Sequence, residues 1–155
     1  MRTVSKTVIG VDFGTQSARA VLVNAENGEI IYSCRKEYPY NSTPVPAIDC
    51  AENLPCATDY EMTLYELLRN VIPEEYRKTV AGICVDATSL TMVLLAEDGR
   101  ALSELDGWSE AAHARVKLWK YHRAQEKADE ALNLARNLQE PFLGRTGGSI
   151  SCEWM

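Results

Sequence analysis

Residues 8–23 read VIGVDFGTQSARAVLV, two apolar runs around a short polar turn. Val8, Ile9, Gly10 and Val11 lead to Asp12, Gly14 to Ser17 form the turn, and Ala18 to Val23 lead away. That arrangement predicts a β-hairpin with an acid at the end of its first strand. Gly14 has no Cβ, so a ligand can approach the backbone closely there. Thr15 and Ser17 offer hydroxyls, and successive loop N–H groups form an anion-binding nest. Asp12 suits a hydrated Mg²⁺, which takes few protein carboxylates and keeps several waters. Acid, glycine turn and hydroxyls together read as a nucleotide-phosphate site. A plain hairpin tip is the alternative reading of the same residues.

Two other phosphate chemistries are excluded. Asp12-Phe13-Gly14 spells the DFG of protein kinases, but that motif needs a Gly-rich loop, a strand lysine and an H-R-D loop ahead of it. Only eleven residues precede Asp12. The chain also lacks G-x-x-x-x-G-K-[ST], so it carries no P-loop.

The chain has 155 residues, 46% hydrophobic and 25% charged, enough for one core and not disordered by composition. The net charge of −6 and the scattered basic residues exclude a phosphate-tracking face, so no nucleic-acid partner is expected. No stretch approaches eighteen consecutive apolar residues, so no membrane span is expected. The five cysteines, Cys34, Cys50, Cys56, Cys84 and Cys152, form no C-x-x-C, and His113 and His122 lie far from them in sequence. That pattern reads as reduced cytoplasmic thiols rather than a zinc site, with Cys84 packed in an apolar strand.

Further along, strands are expected at about residues 7–12, 19–24 and 30–37, with an Glu26-Asn27-Gly28 turn between the second and third. Residues 39–55 carry four prolines and read as an irregular excursion. Asp59 reads as the N-cap of a helix whose apolar stripe is Met62, Tyr65, Leu68 and Ile72. Pro73 starts a short helical turn. Residues 80–86 read as a strand ending on Asp86, and 91–96 as another closed by Glu97-Asp98-Gly99. A helix over 123–137 buries Ala124, Ala128, Ala131, Leu134 or Ala135, and Leu138. The order strand, strand, strand, helix, strand, strand, helix is α/β. It places the 80–86 strand parallel to the first, with Asp12 and Asp86 at one sheet edge, where ligands of open α/β sheets bind.

The run Ile9-Gly10-Val11-Asp12-Phe13-Gly14-Thr15-Gln16-Ser17 resembles the first phosphate loop of the actin-like ATPase superfamily, and specifically of its FGGY carbohydrate kinases. Three later segments match the family in the same order: residues 82–95 with Asp86-Ala87-Thr88-Ser89, residues 116–122 with Lys117-Leu118-Trp119-Lys120, and residues 147–155 with Ser151-Cys152-Glu153-Trp154. Within the family these blocks look most like L-ribulokinases. The resemblance implies a ribonuclease-H-like half-lobe, a mixed sheet with an antiparallel three-strand meander and flanking helices. It also implies that residues 1–155 are the N-terminal part of the first lobe, with the second lobe absent.

The implied activity is transfer of the ATP γ-phosphoryl to a sugar hydroxyl, with ATP and Mg²⁺ as cofactors and a small sugar as partner. Asp12 would anchor the metal, and Gly14, Thr15, Gln16 and Ser17 would approach the phosphates. Ser89, Trp119, Lys120 and His122 would line the sugar pocket, an indole packing on the apolar face of a sugar, or Lys120 and His122 sit on a solvated helix flank. Residues Asp86 to Leu90 either shape that pocket or end their strand in an Asx turn. Trp119 alternatively packs in the core. The family's general base and adenosine loops lie in later segments, so these 155 residues alone are expected to be inactive. Exposed apolar surface is expected to favour self-association. A xylulokinase- or glycerol kinase-like enzyme, and a non-catalytic sugar-binding or interaction module, are the alternatives.

Overall fold

The computed structural model describes residues 6–39, 55–109, 111–119 and 122–154, so the expected excursion over 39–55 lies largely outside the described residues. The chain divides into two units, one of 1–88 with 93–116 and one of 89–92 with 117–155.

In the first unit, β1 (Thr7–Phe13), β2 (Ser17–Asn24) and β3 (Ile30–Glu37) form the meander. The β1–β2 and β2–β3 pairings are antiparallel. Alternation sorts β1 cleanly: Thr7, Ile9 and Val11 are buried, whereas Val8 and Asp12 are exposed. Register sets Ile9 against Leu22, Val11 against Ala20 and Phe13 against Ala18, so the inward face of the hairpin is apolar beyond the Thr7–Asn24 pair. Gly28, at φ 75°, takes the left-handed position of the turn between β2 and β3.

α1 (Ala57–Val71) covers that face over β2 and β3. Its buried residues are Thr63, Leu67 and Val71, with Tyr60, Leu64 and Leu68 packed beside them. Each fully buried Leu or Val here contributes about 1.5–3 kcal/mol. This corrects the expected stripe, because Met62 and Tyr65 are 52% and 59% exposed. Both phases satisfy helical spacing, and the contact with β2 and β3 selects one. Asp59 is also not the N-cap. Cys56 is, and the Asp59 carboxylate three residues on accepts the Cys56 N–H at 2.9 Å.

β4 (Val80–Ala87) lies beside β1 and parallel to it, giving the order β3-β2-β1-β4. Although apolar, it is open: Ile83 and Val85 are 53% and 56% exposed, and Cys84 is exposed rather than packed. β4 is the last strand of the sheet, and α1 lies over β2 and β3 instead. No strand forms over 91–96. The only pairings there among the described residues are single bridges, Met92 with Lys117 and Leu95 with Ala101. The Glu97-Asp98-Gly99 turn does form, with Gly99 N–H donating to Ala96 C=O at 2.9 Å.

In the second unit, α2 (Gln125–Asn137) buries Ala128 and Ala135, so the stripe runs through Ala135 and leaves Leu134 outside. α2 ends in a Schellman motif. Glu140 N–H donates to Ala135 C=O at 2.9 Å and Gln139 N–H to Arg136 C=O at 3.1 Å. Gln139 holds the left-handed position at φ 55°. No helix among the described residues is long and apolar enough to cross a membrane.

Candidate functional site

The β1–β2 turn is held from beneath by aromatic rings. Phe13, Tyr38 and Tyr60 pack together, with ring centroids 5.9 Å apart for Phe13–Tyr60 and 4.8 Å for Tyr38–Tyr60. Buried Tyr38 donates its hydroxyl to Gly14 C=O at 3.0 Å and its backbone N–H to Gln16 C=O at 3.2 Å. Gly14 N–H closes the turn on Ser17 C=O at 3.0 Å. A Cβ on Gly14 would sit 3.1 Å from that same oxygen, a tight contact that a side chain there would impose on the turn.

The four turn residues are placed differently. Gln16 is exposed, and Gly14 and Thr15 are half-buried. Ser17 is buried as the first residue of β2, and its hydroxyl accepts from Arg35 Nε at 3.0 Å. The Gly14 N–H and an acceptor position of Ser17 Oγ are thus among the groups engaged within the protein, with the carbonyls of Gly14, Gln16 and Ser17. Ser17 keeps its hydroxyl proton to donate.

Asp12 stands exposed at the carboxyl end of β1. In register it neighbours Arg19 on β2 and Asp86 on β4, so all three share the open face of the sheet. The Asp86 carboxylate accepts the N–H of Ala87 at 2.9 Å. Thr88 fixes the two strand ends level, because its N–H and its hydroxyl both donate to Phe13 C=O, at 2.9 and 3.1 Å. The sequence quotes Thr88 only within a motif. Its positioning role needs a partner 75 residues away, which no local pattern reports.

Ser89 and Trp119 belong to the second unit and are both exposed. Their segments are stitched by the Met92–Lys117 bridge, with both N–H···O=C bonds at 3.1 Å. Leu90, next to Ser89, is held at φ 58°, a left-handed conformation costly for a γ-branched residue. Lys120 lies outside the described residues.

One further cluster escaped sequence reasoning. One ligand atom each from His122, Cys152 and Glu153 lie within 4.8 Å of one another. The residues are thirty positions apart, so no metal-binding spacing announces them.

No protein-family model matches the chain. The chain is 35% identical to the ribulokinase of Halalkalibacterium halodurans over 97% of its own length, and 36% identical to that of Mycolicibacterium smegmatis over 96%. It spans about 28% of the length of these curated relatives. Among solved structures, the xylulose kinase of Bifidobacterium adolescentis aligns with a TM-score of 0.61 at 18% identity, covering 86% of this chain and 22% of that one. The xylulose kinase of Lactobacillus acidophilus aligns at 0.58 and 20% identity, covering 86% and 24%. At that identity the likeness carries the fold, the mixed α/β fold of these sugar kinases, as the family resemblance implied. Over nearly all of its 155 residues, the chain is similar to the ribulokinases.

Proposed function

We propose that this chain carries the phosphate loop and part of the sugar site of an ATP-dependent carbohydrate kinase that converts L-ribulose to L-ribulose 5-phosphate. The observation that carries the reading is the ribulokinase likeness over nearly the whole chain. Residues 1–155 are read as an N-terminal part of the first lobe.

Asp12 fits a hydrated divalent cation, being an exposed hard oxygen donor at a strand end, on the face it shares with Asp86. Bound there, Mg²⁺ would neutralise phosphate charge. The backbone of Gly14, Thr15 and Gln16 and the hydroxyl proton of Ser17 face the phosphates in this reading, and Tyr38 holds the turn in shape. Ser89, Trp119 and Lys120 are assigned to the sugar. Asp86 is not assigned as general base, since its carboxylate caps the backbone of Ala87. The base is assigned to a later segment of the longer kinase, and residues 1–155 alone are read as inactive.

The test is ADP release by the intact kinase with L-ribulose, D-xylulose or glycerol as acceptor. Preference for ribulose is expected, with Gly14→Ala lowering kcat/KM by tenfold or more, about 1.4 kcal/mol of transition-state stabilisation. Preference for xylulose or glycerol would overturn the substrate assignment. Ribulose-dependent ADP release by the 155-residue chain would overturn its inactivity.

A further inference from the structure

We propose that His122, Cys152 and Glu153 bind a divalent transition-metal cation of the zinc type, independently of the kinase reading. The three side chains come from two segments that packing fixes without help from a metal. His122 sits just before α2, and its carbonyl accepts the Gln125 N–H at 3.1 Å in the first turn of the helix. Cys152 and Glu153 lie in a short 3₁₀ turn, Cys152–Trp154, held by Trp154 N–H donating to Ser151 C=O at 3.1 Å. α2 packs against this turn. Among the described residues, this is the one place where three such ligand groups converge.

Geometry and donor chemistry agree. Tetrahedral zinc, with bonds of about 2.0–2.3 Å, sets its ligand atoms roughly 3.4–3.7 Å apart. The observed spread of up to 4.8 Å needs about 1 Å of closure. In this proposal the exposed His122 side chain is the one that turns to close it. One imidazole nitrogen, one sulfur and one carboxylate oxygen favour a borderline cation over Mg²⁺ or Ca²⁺, which prefer all-oxygen sets. Three protein ligands leave a fourth position for water. Cys152 is buried, Glu153 half-buried and His122 exposed, so the ion enters from the His122 side. On binding, the Cys152 S–H bond breaks, its proton goes to solvent, and the sulfur lone pair forms the metal bond. His122 binds as the neutral imidazole. Affinity therefore falls as pH falls. The ion clips the start of α2 to the turn thirty residues later, and stabilises the folded unit as any ligand specific to the native state does.

The experiment titrates the metal-free chain, without a polyhistidine tag, with Co²⁺ as spectroscopic probe and then with Zn²⁺ as competitor. A single Co²⁺ per chain is expected, with an intense thiolate-to-cobalt charge-transfer band in the near ultraviolet, displaced by one equivalent of Zn²⁺. Cys152→Ser should abolish the band. His122→Ala should weaken binding beyond the roughly 10–100-fold that an outer-shell partner costs. Cys34→Ser and Cys84→Ser should leave the band unchanged. A wild-type chain without the band overturns the proposal, and that result needs no variant to fold. A band that survives in a folded Cys152→Ser chain, checked by circular dichroism, overturns it equally.

Discussion

Replacing Tyr38 by Phe tests whether the phosphate turn is held from below. The ring is 2% exposed and packs 4.8 Å from Tyr60, so the substitution keeps the aromatic volume and removes one oxygen. What is lost is the 3.0 Å bond from the hydroxyl to Gly14 C=O, while the Tyr38 backbone bond to Gln16 C=O remains. A typical net hydrogen bond contributes about 0.5–1.5 kcal/mol, and a part-buried carbonyl left without its donor adds to the loss, so roughly 1–2 kcal/mol is expected. Urea denaturation should show this as a lower midpoint at unchanged slope. Native-state hydrogen exchange locates it. The Gly14 amide, bonded to Ser17 C=O at the same turn, should exchange about 5–30 times faster. The Gly28 amide, bonded to Asn24 C=O at the other end of β2, should not change if opening is local. Stability within about 0.3 kcal/mol of wild type, together with unaltered Gly14 exchange, would refute the idea that Tyr38 shapes the turn.

Three other outcomes follow from particular positions. Gln139→Gly should stabilise the second unit by about 0.5–1 kcal/mol, since relieving a left-handed non-glycine residue outweighs glycine's entropy; a lower denaturation midpoint would contradict the Schellman assignment. Val85→Lys, on the exposed edge strand, should reduce self-association in sedimentation velocity, because charge on an edge blocks strand pairing. An unchanged association constant would show that β4 is not the sticky surface. In a carboxyl NMR titration, Asp59 and Asp98 should move in opposite directions. Burial raises Asp59 from its ordinary value, against the Cys56 N–H and Arg115. Hydrogen bonds from the Arg100 side chain and backbone lower Asp98. The Asp59 contribution to stability is then full at low pH and lost as pH rises through its folded value. The Asp98 contribution is present above its unfolded value and lost as pH falls through its folded one. Shifts of the same sign would show one environment to be misread.

What the sequence determined by itself is local. Two apolar runs around the Gly14 turn specified the β1–β2 hairpin, whereas which residues of β1 face inward came from the packed sheet. The short Glu26-Asn27-Gly28 turn added β3, and the alanines of residues 124–135 marked the buried side of α2. These features depend on periodicity and turn chemistry within a few residues, so a single stretch carries them. Tertiary structure decided whatever needs a neighbour. α1 has two usable apolar phases, and contact with β2 and β3 chose Thr63, Leu67 and Val71 over Met62 and Tyr65. β4 reads as a buried strand because it is apolar, but its position at the sheet edge leaves Ile83 and Val85 open. Residues 91–96 have strand composition without a continuous partner, so they form only bridges. Ser17 reads as a free hydroxyl until β3 brings Arg35 to it. His122 meets Cys152 and Glu153 only because α2 packs against the turn that carries them. Pairing across tens of residues leaves no local trace, since it is fixed by which surfaces the packed elements bring together.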